Sequence, residues 1–215
     1  MAETVNRKRT YDSSRRQEQA RETRRAILRA AYDLFVERGY GRATMAAIGQ
    51  RAGVATETVY ANFSNKPTLL EHVWDVTIGG DDEEIVFHER PEILALRREP
   101  NLARRLKMMA HVARSTNERT APFIKALEGA GASEPVAAQM VQEIDRQRLA
   151  GISLMAREAA ATGQLAVSEE EFRDVVWAMN RGDLWDLLVR KGGWDGDRFE
   201  RWLAEVWKRA LVRER

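Results

Sequence analysis

Thr56, Glu57, Thr58, Tyr60, Ala61 and Asn62 crowd hydroxyls, a carboxylate, a phenol and an amide around a single Val59. Wound as a helix, the segment puts Val59 and Phe63, four apart, on one face and turns the polar groups away from it. Short polar side chains on such a face suit hydrogen bonding to base edges. A carboxylate accepts from cytosine N4, and a methyl group such as that of Ala61 meets a thymine methyl. Thr56, Glu57 and Ala61 are the residues expected to face bases. Glu57 keeps two readings, because a carboxylate near a polyanion is repelled unless it reads one base; the other is a pair with Arg51 or Arg42. Lys66 stands at the start of the next helical pattern, where free amides and a cation together receive a phosphate. Without such a ligand a lysine there opposes the helix dipole.

Other chemistries find little support. The chain has no cysteine, which excludes disulfides, thiolate metal sites and a cysteine nucleophile. His72, His88 and His111 are far apart and form no metal-binding spacing. Phosphate-cradling glycine loops and nucleophile elbows are both missing. Glu83-Glu84 and Glu169 to Glu171 sit at helix starts, where the dipole accounts for them. No cofactor, no metal and no enzymatic activity are expected.

The elements that must position the polar cluster are short. Thr44 is a good N-cap, since its hydroxyl accepts from a free first-turn amide. Met45 and Ile48 follow on one face, and Ala52-Gly53-Val54 supplies a residue able to stop and turn the chain. Two helices joined in this way make a helix-turn-helix, whose second helix enters the DNA major groove. A helical hairpin in an ordinary core would share the helix-Gly-helix pattern, so the pattern alone is weak evidence.

The longer string is more specific. Gly39-Tyr40, Thr44, Ile48, Ala52-Gly53-Val54, Thr58-Val59-Tyr60, Phe63, Lys66 and Leu69 together resemble the DNA-binding domain of the TetR family of transcriptional regulators. Three positions depart from the family pattern. Gly49 replaces the usual Ala and is expected to loosen the first motif helix. Ala55 replaces a capping Ser or Thr, which moves the expected cap to Thr56. Asn62 stands where a ring is frequent. The resemblance implies that Thr44, Thr58, Tyr60 and Lys66 serve phosphates; Asn62, off the buried face of the same helical pattern, is counted with the DNA-facing residues. It also implies a homodimer on a palindromic operator, and a small-molecule effector held among the central helices.

Charge is asymmetric. Residues 1–66 hold 13 Lys/Arg against 7 Asp/Glu, a net +6, and the remaining 149 hold 22 against 26, a net −4. A basic front on an acidic body suits a polyanion partner at one end. Residues 1–13, with Arg7-Lys8-Arg9, read as a disordered basic arm, either a solvated tail or a second contact to phosphates or a minor groove. A helix from Ser14, capped with Gln17, is expected to reach Arg38, burying Ile27, Ala31, Leu34 and Phe35. The start carries no apolar run of a secretory signal, and no stretch is apolar enough to span a bilayer. A soluble cytoplasmic protein without a membrane partner is the expectation.

Beyond Lys66 the pattern stays helical. Asn65 caps a fourth helix and Asn101 another. Ala121-Pro122 is expected to open a short one, Ser133 to cap a long one, and Ser168 to cap one running to Lys191. Asp195 to Asp197 starts the last. Trp74, Met108, His111, Phe123, Met140, Ile144, Met155 and Trp177 could line an effector pocket or simply fill the core. Phe199, Trp202, Leu203, Val206 and Trp207 form a wide apolar stripe, with Trp185 and Leu188 just before it. The stripe is buried either inside its own subunit or across a two-fold interface, and the resemblance favours the interface. The expected fold is all-α, with nine or ten helices. An arm (1–13) and a helix-turn-helix domain (14–65) precede an effector-binding and dimerisation domain (66–215). The alternatives are a helical DNA-binding protein without effector, or a helical enzyme.

Overall fold

The computed structural model describes residues 4–81, 83 and 85–213, the side chains of 4–13 excepted. Ten α-helices appear among them: α1 (Thr4–Arg38), α2 (Met45–Ala52), α3 (Thr56–Asn62), α4 (Lys66–Gly79), α5 (Pro91–Arg98), α6 (Leu102–Ala130), α7 (Pro135–Ala160), α8 (Glu169–Met179), α9 (Gly182–Trp185) and α10 (Gly196–Leu211). The only extended pairing among the described residues is a single antiparallel bridge between Leu165 and Val212. The chain divides into two compact units, Met1–Val76 and Thr77–Arg215. The division falls inside α4 rather than at its first residue.

In the first unit the buried set includes Ile27, Ala31, Leu34 and Phe35 of α1, with Tyr40, Ile48, Val59, Phe63, Leu69 and Val73. The expected start of α1 needs correction. The helix is already formed at Thr4, so Ser14 lies inside it rather than at its cap. Met1 to Glu3, and the side chains of Arg7, Lys8 and Arg9, lie outside the described residues.

The second unit is organised around α6. Its buried face meets α10, α7 and α9, and the core joins Leu106, Met109, Ile152, Phe172, Val176, Trp185, Phe199, Leu203 and Trp207. Three expected boundaries differ. Pro122 does not open a helix but lies within α6, which continues from Leu102 to Ala130. An interior proline costs about 3 kcal/mol, a penalty offset by the burial of Ala121, Phe123 and Leu127 around it. Ser133 is not the cap of α7: its hydroxyl donates to Ala130 O at 3.3 Å, and the cap position is Glu134, whose side chain accepts nothing there. The expected helix from Ser168 to Lys191 is broken at Asn180, where φ −92° and ψ 27° leave the helical region. The bend admits Gly182, where an added Cβ would stand 3.3 Å from Ala121 Cβ. After α9 the chain makes a π-helical turn, Asp186–Lys191. Lys125, Arg190 and Lys191 converge on Asp186 at 2.8, 3.0 and 3.3 Å. They hold its carboxyl below the usual range, Lys125 most of all.

Candidate nucleic-acid interface

The frame of α2 and α3 is set by three local devices. Thr44 Oγ1 accepts from Ala47 N at 3.1 Å and starts α2. Gly53, at φ 71°, ends it in the left-handed region, and its amide returns to Gln50 O and Gly49 O; glycine enters that region without a Cβ penalty. Gly49 serves packing, within an unbroken α2. Its missing Cβ would lie 3.0 Å from Val54 O and 3.2 Å from Val59 Cγ2, so glycine lets the turn and α3 close onto α2. The cap of α3 is Ala55, with no side-chain bond. Thr56 is therefore the first helical residue rather than the cap. The helix forms without one because Val59 and Phe63 are buried beneath it.

Two links tie α3 and α2 to α1. Arg24 lies over the Phe63 ring, 4.5 Å from its centroid. Arg51 grips Glu37 with two bonds of 2.7 Å, and that guanidinium holds the Glu37 carboxyl below its ordinary range. Arg42 donates to Arg38 O at 3.0 Å. The alternative pairings of Glu57 with Arg51 or Arg42 are thus replaced by these bonds.

On α3, Glu57, Tyr60 and Ala61 are exposed together, Tyr60 at 51%, while Thr56 and Thr58 are half-buried at the flanks. Asn62 turns inward: its amide donates to Thr58 O at 2.8 Å, which commits it to its own helix. Thr44 is exposed at the start of α2. Lys66 is not a simple free cation at a helix start. Its ammonium donates to Tyr40 O at 2.7 Å, approaches Gly41 O at 3.4 Å and lies 4.1 Å from the Tyr40 ring centroid. Tyr40 and Gly41 were thus missed as partners. The signal was Lys66 itself, a cation opposing a helix dipole that something must compensate. Asn65 caps α4 as expected, accepting from Thr68 N at 2.8 Å.

The residues expected around an effector distribute differently. Trp74 is buried in the first unit. In the second, Phe123 and Ile144 are buried and Met140 half-buried. Met108, Met155 and Trp177 pack against the main core. His111 is a correction: its side chain is 65% exposed, with Nδ1 3.0 Å from Glu200 Oε2 of α10. A hydrogen-bonding partner on the neighbouring helix explains why an otherwise apolar helix carries it. An open groove of about 280 Å³ runs beside α6 and α10, lined by Lys107, Glu200, Arg201 and Lys208 among others. None of the expected lining residues belongs to that groove.

The aromatic stripe also divides. Phe199, Leu203 and Trp207 are fully buried within this chain, and Trp185 is 4% exposed. Their assignment to a subunit interface is corrected, because the i, i+4, i+8 ridge of α10 is filled by α6 of the same chain. Trp202, Val206 and Leu188 are half-buried, and Leu187 is 57% exposed. Trp202 stacks edge-on with Trp194 at 5.7 Å.

Comparison with known proteins falls on the same elements. Residues 27–73 match the family described as bacterial regulatory proteins, tetR family. The HTH-type transcriptional regulator TtgR of Pseudomonas putida is 41% identical over 61 residues, 28% of this chain and 29% of that protein. The uncharacterised HTH-type transcriptional regulator YdeS of Bacillus subtilis is 44% identical over 48 residues, 22% of this chain and 24% of that protein. The chain thus matches less than a third of the length of these curated relatives. Among solved structures, the SmeT–triclosan complex aligns with a TM-score of 0.63 and 25% identity, over 89% of this chain and 92% of that one. A regulator from Saccharomonospora viridis in complex with choline aligns with a TM-score of 0.67 over 90% and 99%; at 16% identity it speaks for the fold alone.

Proposed function

Since the chain belongs to the TetR family of bacterial regulatory proteins, we propose that it is a DNA-binding transcriptional regulator, a homodimeric repressor that holds a palindromic operator and releases it on binding a small molecule. The observation that carries the DNA-binding part is the exposed set Glu57, Tyr60 and Ala61 on α3, presented by a capped, glycine-turned frame. Glu57 and Ala61 read bases, with Thr56 beside them. Thr44, Thr58 and Tyr60 serve phosphates. Lys66 fixes the loop at Tyr40 and Gly41 and presents its positive charge there. Asn62 acts indirectly, by stiffening α3.

Two copies would meet through the outward residues of the last helices, Leu188, Trp202 and Val206, extended by Leu187. A two-fold dimer meets successive major grooves when its recognition helices stand about 34–36 Å apart, and effector binding would change that spacing. The SmeT structure holds triclosan, which supports a small-molecule effector here. A second reading, a DNA-binding protein without effector, draws on the packing of Met108, Met155 and Trp177 into the core and on the exposure of His111. Selection of an operator from random DNA, followed by a metabolite screen for release, tests the proposal. A selected palindrome with metabolite-driven release supports it, selection without release favours the second reading, and no selected sequence refutes both.

A further inference from the structure

Helix α1 is longer than the three-helix frame needs. Its packing begins at Ile27, and Arg24 marks the last link to α3, over the Phe63 ring. Every residue from Ser14 to Glu22 is exposed. The ten residues between Ser14 and Arg24 rise about 15 Å along the axis, so a helical spur leaves the frame beside the C-terminal end of α3. Helices of this length without a packed face are marginal in water. The spur and the turn after it carry net positive charge: residues 14–29 hold six arginines against two glutamates. Arg21, Arg25 and Arg29 stand at i, i+4 and i+8, a single exposed ridge; Arg15 is exposed on the neighbouring face, and Arg16 points the opposite way.

We infer that the exposed half of α1 is a second DNA-contacting element, in which Arg15, Arg21 and Arg25 hold the phosphate backbone flanking the segment read by α3. This rests on the DNA-binding reading of α3 and extends it to another helix. Charge complementarity with a polyanion selects the occupant. Arginine suits the role because its planar fork binds phosphate oxygens in pairs. Such contacts carry no sequence information and position the protein on the duplex. Whatever surface pairs these arginines make along their own helix are weak and solvent-screened, so phosphates displace them at low cost.

The test is fluorescence anisotropy of the full chain on a labelled duplex of mixed sequence, titrated across salt concentration. Replacing the three residues by glutamine (Arg15→Gln, Arg21→Gln, Arg25→Gln) should make the log–log salt slope shallower by about two to three units, since each phosphate contact contributes roughly 0.9. Base preference on a selected operator should stay the same. The matching lysine variant should keep most of the slope, because the charge remains. Unchanged thermal melting of both variants is expected, as the side chains are exposed. A glutamine variant that melts like the wild type and keeps the wild-type slope overturns the inference while leaving α3 as the reader of DNA. A wild-type chain that shows no salt-dependent binding brings down the DNA-binding reading and this inference with it.

Discussion

Trp207→Ala separates the core from the subunit surface most sharply. Trp207 is fully buried within one chain, and its indole Nε1 has no acceptor among the described residues. Removing a buried tryptophan costs about 3–5 kcal/mol, lost transfer energy plus the void left behind. A protein of this size shifts its Tm by roughly 2–4 °C per kcal/mol, so a loss on the order of 10 °C is expected. Trp207→Phe should behave differently. It opens a void of about 40 Å³, about 1 kcal/mol at ~24 cal/mol per Å³. It also removes a buried unpaired N–H, whose desolvation costs about 1–3 kcal/mol. The two effects oppose, and stability should stay within about 1–2 kcal/mol of wild type. Urea unfolding followed by circular dichroism measures both, with light scattering on the same samples. The reasoning is refuted if Trp207→Ala melts like the wild type yet dissociates an oligomer, since that result places the indole between subunits. Trp202→Arg, on the outward flank, is the variant expected to change assembly while costing less stability than Trp207→Ala.

Three further outcomes are expected. Lys66→Met should lower stability by roughly 1–2 kcal/mol, a charge-assisted hydrogen bond discounted for partial exposure, and reduce the salt slope of DNA binding by about one unit; thermal melts and anisotropy measure the two separately. Thr44→Ala should cost about 0.5–2 kcal/mol through loss of the α2 cap, read by urea unfolding, and a Thr44→Ser variant should recover most of it. Arg146 first and Gln147 second depress the Glu143 carboxyl from 4.5 to about 2. A group whose folded pKa is lowered contributes stability above its unfolded pKa and loses it as pH falls through the folded one. The contribution of Glu143 is therefore complete above about pH 4.5 and fades toward pH 2. An NMR titration of Glu143 in Arg146→Ala should return its midpoint toward the ordinary value.

What was legible in the sequence was local. Thr44, Asn101, Ser168 and Asp195 each accept the amide three residues on, as their residue types and positions predict. Ile48, Val59 and Phe63 are buried, as their helical spacing requires. What failed depended on distant partners. Pro122 reads as a helix start until α6 is seen to be held by burial on both sides of it. The break at Asn180 depends on how closely Gly182 approaches Ala121, which no local pattern encodes. The periodicity of α10 marks its apolar face correctly, but period alone does not say whether α6 or a second subunit covers it. His111 was misplaced for the same reason: Glu200, 89 residues away, is its partner. On α3 the residue types pointed to the surface, and the structure adds which members face outward and that Asn62 does not.

The central claim is that α3 reads DNA sequence. The most direct measurement compares Glu57→Gln with wild type on the selected operator, on every single-base variant of one half-site, and on random duplex. A carboxylate accepting from cytosine N4 should make the variant lose discrimination at one base pair, by about 1–3 kcal/mol, with random-duplex affinity little changed or slightly improved. Equal affinity changes on every sequence, with the wild-type preference intact at each position, would contradict it.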